Sequence, residues 1–291
     1  MEQVKKVLII GSRGMAGHIL YAYFKENTQF NIIDIARASD SHKPTHVVDV
    51  TKFEDLKKIL ELEKPDVVIN CIGILNKDAE DHPDKAILLN SYFPHFLAAL
   101  GTSNDFKVIH ISTDCVFNGK KGGYTETSIK DGIGFYAETK SLGEVVYGNH
   151  ITLRTSIIGP DLKKEGIGLF NWFMHQNGTI KGYSKAYWTG ITTVELAKAI
   201  IEAINQDIKG LHHVIFNEKI NKYELVKLFK NVFNRTELNI EPYDGYVVDK
   251  SLIKTNDNFQ YAVPGYKEMI SEMKDWILEH PELYEYRLAN V

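Results

Sequence analysis

The sequence predicts an α/β fold: a doubly wound parallel sheet with a smaller, discontinuous C-terminal domain. Three observations lead there. Short β-branched runs alternate with helically spaced apolar residues through the first half of the chain, runs such as Val67-Val68-Ile69 are continuously apolar, and the alternation loosens after about residue 155. Strands that alternate with helices build parallel sheets covered on both faces, and such strands read as unbroken apolar runs.

Strands are expected at residues 7–10, 30–35, 47–50, 67–71, 108–111 and 151–153. Between them, Met15, Ile19, Leu20, Tyr23 and Phe24 keep helical spacing, as do Phe53, Leu56, Ile59 and Leu60, and then Ile87, Leu88, Phe93, Phe96, Leu97 and Leu100. Gly159-Pro160 breaks the chain, and a loop with Lys163, Lys164, Gly166 and Gly168 follows. A helical stripe spans 194–204, and 212–216 is expected to return as a strand to the first sheet. Asn221-Lys-Tyr-Glu224 has the form of a capping box, and a last helix is expected over 266–278, after Pro264-Gly265. The expected division is 1–155 with 191–216 for one domain, and 156–190 with 217–291 for the other.

Composition excludes several classes of function. The 291 residues are 44% apolar and 25% charged, with 34 Lys and Arg against 38 Asp and Glu, a net charge of −4. No basic excess exists to neutralise a polynucleotide backbone, so nucleic acid is not an expected partner. No apolar run approaches the ~18 to 20 residues of a membrane span, and a cytoplasmic location is expected. Cys71 and Cys115 are too few for a disulfide framework or a cysteine metal site. His42 and His46 straddle Pro44 with no carboxylate cluster beside them, so no metal is expected.

Gly11, Gly14 and Gly17 lie between the first strand and the first helix, in GxxGxxG spacing. Glycines there let the chain turn tightly, approach a pyrophosphate and pack helix on sheet, while the helix N-terminus offers N–H groups to phosphate. The turn of Gly11, Ser12, Arg13, Gly14, Met15 and Gly17 is therefore the expected dinucleotide site of a Rossmann-type domain. Asp34, at the end of the second strand, is placed to accept from the ribose 2′-hydroxyl of NAD. Arg37 and Arg13 are placed to pair with the 2′-phosphate of NADP, and two of only five arginines in this neighbourhood favour NADP, with NAD the alternative. Asp49 is an expected adenine contact, or else an N-terminal residue of the next helix.

Tyr136 and Lys140 are one helical turn apart, so phenol and ammonium face the same way. An ammonium at that distance lowers a phenol pKa and fits it for proton exchange with a substrate oxygen. Chance supplies roughly 1.5 pairs at this spacing in such a composition, so spacing alone decides nothing. The sequence holds four: Tyr21/Lys25, Tyr136/Lys140, Tyr223/Lys227 and Tyr246/Lys250. Only Tyr136/Lys140 follows a strand whose carboxyl end carries hydroxyls, Ser112 and Thr113, and ligands bind at carboxyl ends of such strands.

The glycine turn, Asn70-Cys-Ile-Gly73, Asn90-Ser-Tyr-Phe-Pro94, Ser112-Thr-Asp-Cys-Val-Phe-Asn-Gly119 and the Tyr136/Lys140 pair, in this order, resemble an extended short-chain dehydrogenase/reductase. The run from Ser112 to Gly119 resembles the STDxVFxG segment of dTDP-4-dehydrorhamnose reductases, and Arg154-Thr-Ser-Ile-Ile-Gly159 their RTSxxxG segment. The resemblance covers the chain to about Pro160 and is thin afterwards. It implies a nucleotide-sugar 4-ketoreductase with Thr113, Tyr136 and Lys140 as the catalytic set, and a cofactor site extended by Val50, Cys71, Ile72, Gly73 and Asn90. Thr113, Asp114 and Cys115 would meet the substrate. Asp114-Cys115 stands where sugar-nucleotide dehydratases carry Asp-Glu, which disfavours dehydration and leaves a 4-epimerase or a non-catalytic dinucleotide-binding regulator as alternatives. The family's QxGxPT stretch is replaced by Tyr187-Trp-Thr-Gly-Ile-Thr-Thr193, and 168–172 lacks its Asn-Asn-Phe. A different sugar is implied, such as a UDP-linked amino sugar. Trp172 and Trp188 are candidates to stack on the substrate's base. The sequence leaves a homodimer open.

Overall fold

Seven parallel strands in the order β10-β6-β5-β4-β1-β2-β3 form the central sheet. The structure, a computed structural model, describes residues 4–38 and 43–286, so His42 lies outside the described residues. In chain order the elements are β1 (Lys6–Ile10), α1 (Met15–Asn27), β2 (Asn31–Ala36), β3 (His46–Val47), α2 (Phe53–Glu63), β4 (Val67–Asn70), α3 (Asn76–Asp81), α4 (Pro83–Ala86), a π-helical turn (Ile87–Tyr92), α5 (Phe93–Asn104), β5 (Lys107–Thr113), α6 (Phe135–Leu142) and β6 (Ile151–Thr155). Then come β7 (Ile157–Ile158), α7 (Leu169–Met174), β8 (Thr179–Trp188), β9 (Ile191–Thr192), α8 (Thr193–Asn205), β10 (Gly210–His213), β11 (Ile220–Asn221), α9 (Lys222–Val232), β12 (Asn239–Asp249) and α10 (Tyr266–Glu279).

Both faces of the sheet are buried, which is why its strands are continuously apolar. Val7 and Ile9 point into a core shared with α1, α8, α9 and α10, while Leu8 and Ile10 point into a second core with Leu56, Leu60, Phe93 and Leu97. The chain runs outward from β1 to β3 and then restarts at β4 on the other side of β1. That reversal opens a crevice beyond the carboxyl ends of β1 and β4, the usual ligand position in open α/β sheets.

Some elements depart from the sequence expectation. The third strand stops at Val47, because Asp49 Oδ1 accepts from the Thr51 N–H (3.0 Å) and Thr51 Oγ1 (2.8 Å) and turns the chain into α2. The helix expected from Ile87 begins as a π-helical turn, and Ser91 Oγ there donates to the Thr139 carbonyl of α6 at 2.8 Å. Only the N-cap half of the expected capping box forms, with Asn221 Oδ1 accepting from the Glu224 N–H at 2.9 Å, while the Glu224 carboxylate turns to Lys227. A second sheet, β11-β8-β12, was not expected from the sequence. Its long member β12 carries Pro242 and Gly245 and stays largely exposed, so it lacks the pattern of a strand and is held by its partner β8.

Candidate functional site

The glycine turn leaves β1 at Gly11, whose φ of +89° favours glycine, and its N–H donates to the Ile35 carbonyl at 2.9 Å. Gly17 is required for another reason: a Cβ there would overlap the Gly11 carbonyl oxygen, so α1 could not lie so close to the turn. Gly14 differs from both. A Cβ at Gly14 would meet nothing nearer than the Gly11 oxygen at 3.5 Å, so the chain itself does not demand a glycine. Gly14 caps α1 with no side-chain cap and no acidic residue in the first turn, leaving its N-terminal N–H groups without a side-chain acceptor. Met15 opens the helix, its sulfur against Gly168.

Asp34 is 1% exposed, accepting from Ser12 Oγ at 2.7 Å and from Thr45 N and Oγ1 at 2.8 and 2.9 Å. Its carboxylate ties the glycine turn to the loop before β3. Arg37, just past β2, is exposed, and Arg13 is partly buried within the field of Asp34. Asp49 is held below the usual carboxylate range, first by its bonds from Thr51 and further by the charge of Arg37. These bonds shape the turn ahead of α2, whose own N-cap, Lys52, has no side-chain cap bond. Val50 is buried in the α2 core.

After β4, the Cys71 N–H donates to the Ile10 carbonyl at 3.0 Å, and Ile72 lies against Gly11. Burial pushes the Cys71 thiol up to about 12, so it stays protonated. Gly73 lies beside Asn90, which is fully buried: Oδ1 accepts from Ile74 N (2.8 Å), while Nδ2 donates to Ile74 O (2.9 Å) and Thr139 Oγ1 (3.1 Å). Asn90 therefore clamps this loop to α6.

Thr113 ends β5 beside the Tyr136 phenol of α6, and its hydroxyl works to lower that phenol's pKa. Thr113 Oγ1 also accepts from the Cys115 N–H (3.1 Å) and lies 3.2 Å from Asp114 Oδ1. Glu80 Oε1 accepts from the Tyr136 N–H at 3.2 Å and fixes the start of α6, a contribution that nothing near position 80 announces. Burial, then the charges of Cys115 and Asp114, push the Tyr136 phenol above its ordinary range. The expected lowering by Lys140 is thus corrected. Lys140 Nζ is turned instead toward the Ile111 carbonyl (2.7 Å) and His110 Nε2 (3.2 Å), and burial lowers it to about 8. Two of the other Tyr/Lys pairs are surface stacks, with Lys25 Nζ 4.7 Å above the Tyr21 ring and Lys227 Nζ 4.9 Å above that of Tyr223.

The tryptophans separate. Trp172 on α7 is 39% exposed, whereas Trp188 is 5% exposed and packs on Tyr266 at 5.7 Å between ring centroids. Trp188 belongs to the core, which corrects its candidacy as a base platform. Lys250, set aside in the sequence with Tyr246, reaches this site from the end of β12, where its charge opposes the burial that raises Cys115 and Asp114. Only the return of β12 beside Gly119 brings it there, a contact with no local signal. A cavity of about 500 Å³ lined by Glu126, Lys130 and Arg154 lies elsewhere and includes none of Thr113, Tyr136 or Lys140.

A Rossmann-like sheet with a glycine turn at its switch point and a hydroxyl, phenol and amine around the end of β5 defines a dinucleotide-dependent oxidoreductase type of site. The comparisons agree. The family model described as RmlD substrate binding domain matches residues 5–254, and the chain belongs to that family. It is 27% identical to methionine adenosyltransferase 2 subunit beta of Xenopus tropicalis over 253 residues, covering 82% of this chain and 75% of that one. It is also 27% identical to a dTDP-4-keto-6-deoxy-D-glucose reductase of Streptomyces niveus over 231 residues, 76% of each. A dTDP-4-dehydrorhamnose reductase of Bacillus anthracis, solved in complex with NADP, shares the fold with a TM-score of 0.79 at 20% identity, covering 94% of this chain and 99% of that one. Among the described residues no helix is long and apolar enough to cross a membrane.

Proposed function

We propose that the chain is an NADPH-dependent reductase of the 4-keto group of a nucleotide-linked deoxysugar. The observation that carries this reading is the placement of Thr113 at the carboxyl end of β5, with Tyr136 and Lys140 one turn apart on the neighbouring α6, at the same end of the sheet as the glycine turn. Gly14 supports the cofactor. It is the one glycine of the turn whose missing side chain leaves open space, over a helix N-terminus without a side-chain cap, where a pyrophosphate would sit. The commitment of Asp34 to Ser12 and Thr45 removes the acidic partner that would favour NAD, while Arg37 stays exposed for a 2′-phosphate. NAD is the alternative.

When bound, the reduced nicotinamide supplies a hydride to the sugar carbonyl. Tyr136, whose proton is retained by burial, donates it to the developing alkoxide, and Thr113 orients the phenol. Lys140 would hold the nicotinamide ribose. Trp172 and Lys250 line the substrate side, where a UDP-linked amino sugar or a dTDP sugar would lie. We assign cofactor and chemistry to residues 1–155 with 191–216, and substrate choice to 156–190 and 217–291. The reading extends to a cytoplasmic role in surface polysaccharide synthesis and to a homodimer, the latter because Ile87, Tyr92, Leu142 and Tyr147 expose large apolar side chains around α6.

A panel of 4-keto sugar nucleotides assayed with NADPH and NADH tests the reaction, with product stereochemistry at C4 read by NMR. Consumption of NADPH is the expected result; a C4 mixture without net consumption makes the chain an epimerase. The similarity to a methionine adenosyltransferase subunit favours one other reading, a dinucleotide-binding subunit without turnover, for which cofactor binds and no substrate is reduced.

The glycine turn gives a paired expectation. Gly14→Ala should change stability by about 1 kcal/mol or less, yet weaken NADPH binding by about tenfold or more, or 1.4 kcal/mol. Gly17→Ala should instead cost about 3 kcal/mol of stability, because its Cβ meets backbone. Calorimetric titration and urea unfolding of both variants separate the two roles.

A further inference from the structure

His110 is a buried titratable group that the proposed chemistry does not use. It lies in the middle of β5, flanked by Asn70 of β4 and Lys140 of α6, and Asn70 Nδ2 is 3.2 Å from His110 Nδ1. The amide orientation is set from its other end, because Asn70 Oδ1 accepts from the Ile72 N–H at 3.1 Å. Nδ2 therefore faces the imidazole as a donor, and His110 Nδ1 must accept. Burial, with the charges of Lys140 and His95, holds His110 well below its ordinary range, so the ring is neutral and carries its single proton on Nε2.

Nε2 is 3.2 Å from Lys140 Nζ. An ammonium has three donors and no acceptor, so it would meet the Nε2–H donor to donor. A neutral amine has a lone pair for that proton and still donates to the Ile111 carbonyl at 2.7 Å. The groups facing Lys140 include no hydrogen-bonding carboxylate. Cys71 approaches from the end of β4, His110 and the Ile111 carbonyl from β5, and Tyr136 and Glu144 lie one turn away along the α6 segment. Glu144 raises the amine's proton affinity through space, but its oxygens are taken by Arg154, Ser112 and Lys130.

We propose that His110 is a positioning residue that, with its tautomer fixed by Asn70, shifts the Lys140 equilibrium toward the neutral amine in the cofactor-free protein. Burial of Lys140 acts in the same direction and brings its titration to about 8. The role of Lys140 in turnover rests on the reductase reading, whereas its protonation state is open to direct measurement.

NMR of the full chain carrying [15N]histidine and lysine labelled with 13C at Cε tests this, with the two signals assigned by their loss in His110→Gln and Lys140→Arg. The wild type is expected to show the Nε2–H tautomer and a Lys140 midpoint near 8. In Asn70→Asp the new carboxylate still accepts from Ile72 and now also from Nδ1–H, so Nε2 becomes an acceptor for the ammonium. The tautomer should switch and the Lys140 midpoint rise by about one pH unit or more. A wild-type proton on Nδ1, or an Asn70→Asp midpoint equal to the wild type, overturns the proposal. Neither measurement needs turnover, so inactivity toward every sugar nucleotide would count against the reductase reading alone.

Discussion

Tyr136→Phe is expected to lower turnover by about 10²- to 10⁴-fold while leaving NADPH affinity nearly unchanged. The substitution keeps the ring and removes only the phenolic oxygen beside Thr113. Burial beside Cys115 and Asp114 disfavours the phenolate, so the wild-type residue enters each reduction as an intact acid. Loss of that acid leaves solvent as the proton source. The phenol titrates above its ordinary range, so no acid limb assignable to Tyr136 should be seen around neutral pH. A phenylalanine variant with full activity on the substrate found in the panel would move the proton donor elsewhere, and Thr113→Val would then show whether the threonine hydroxyl acts alone.

The parts of the site legible in the sequence are those whose signal is local. Gly11 and Gly17 stand out because a turn and a close helix approach act within seven residues, and Tyr136 with Lys140 because a helical turn fixes their spacing. Asp34, Asn90 and Trp188 look like ligand contacts in sequence. Their true partners, Thr45, Thr139 and Tyr266, are delivered by a loop, a neighbouring helix and a helix 78 residues away. The same reason hides Glu80, Lys250 and His110. His110 sits inside an apolar strand, and only the register that sets Asn70 opposite His110 reveals its polar surroundings. In the fold, the parallel sheet was readable because burial on both faces writes unbroken apolar runs. The second sheet was not, because β12 draws its stability from pairing with β8 rather than from an inward face.

Arg154→Leu is expected to cost about 3 to 5 kcal/mol of stability at neutral pH. Arg154 donates from Nε and Nη2 to the two oxygens of Glu144 at 2.8 and 2.7 Å, from Nη1 to His213 at 2.9 Å, and lies over the Phe117 ring. Arg154 and Glu144 are both about 1% exposed, so removing the guanidinium leaves a carboxylate buried with only Ser112 and the more exposed Lys130. Burial alone would raise Glu144, but the bonds and charge of Arg154, helped by Ser112 and Lys130, outweigh it and hold the carboxyl below the usual range. A folded-state pKa below the unfolded value of ~4.3 contributes stability above that value, and the contribution is lost as pH falls through the folded pKa. In the variant the carboxyl is expected to titrate higher, so the gap to wild type should be widest at neutral pH and narrow on acidification. Urea unfolding of both proteins across that range measures it. Adding Glu144→Leu to Arg154→Leu should recover much of the loss, because a neutral pair leaves no buried charge behind. A gap that stays constant with pH, or a double variant no better than the single, would mean that Arg154 acts through packing on Phe117 and not through its charge. The pair also joins the segment just after α6 to β6 and, through Ser112, to β5, next to the strand end that carries Thr113. Its loss is therefore expected to loosen the seat of Lys140 before the sheet itself opens.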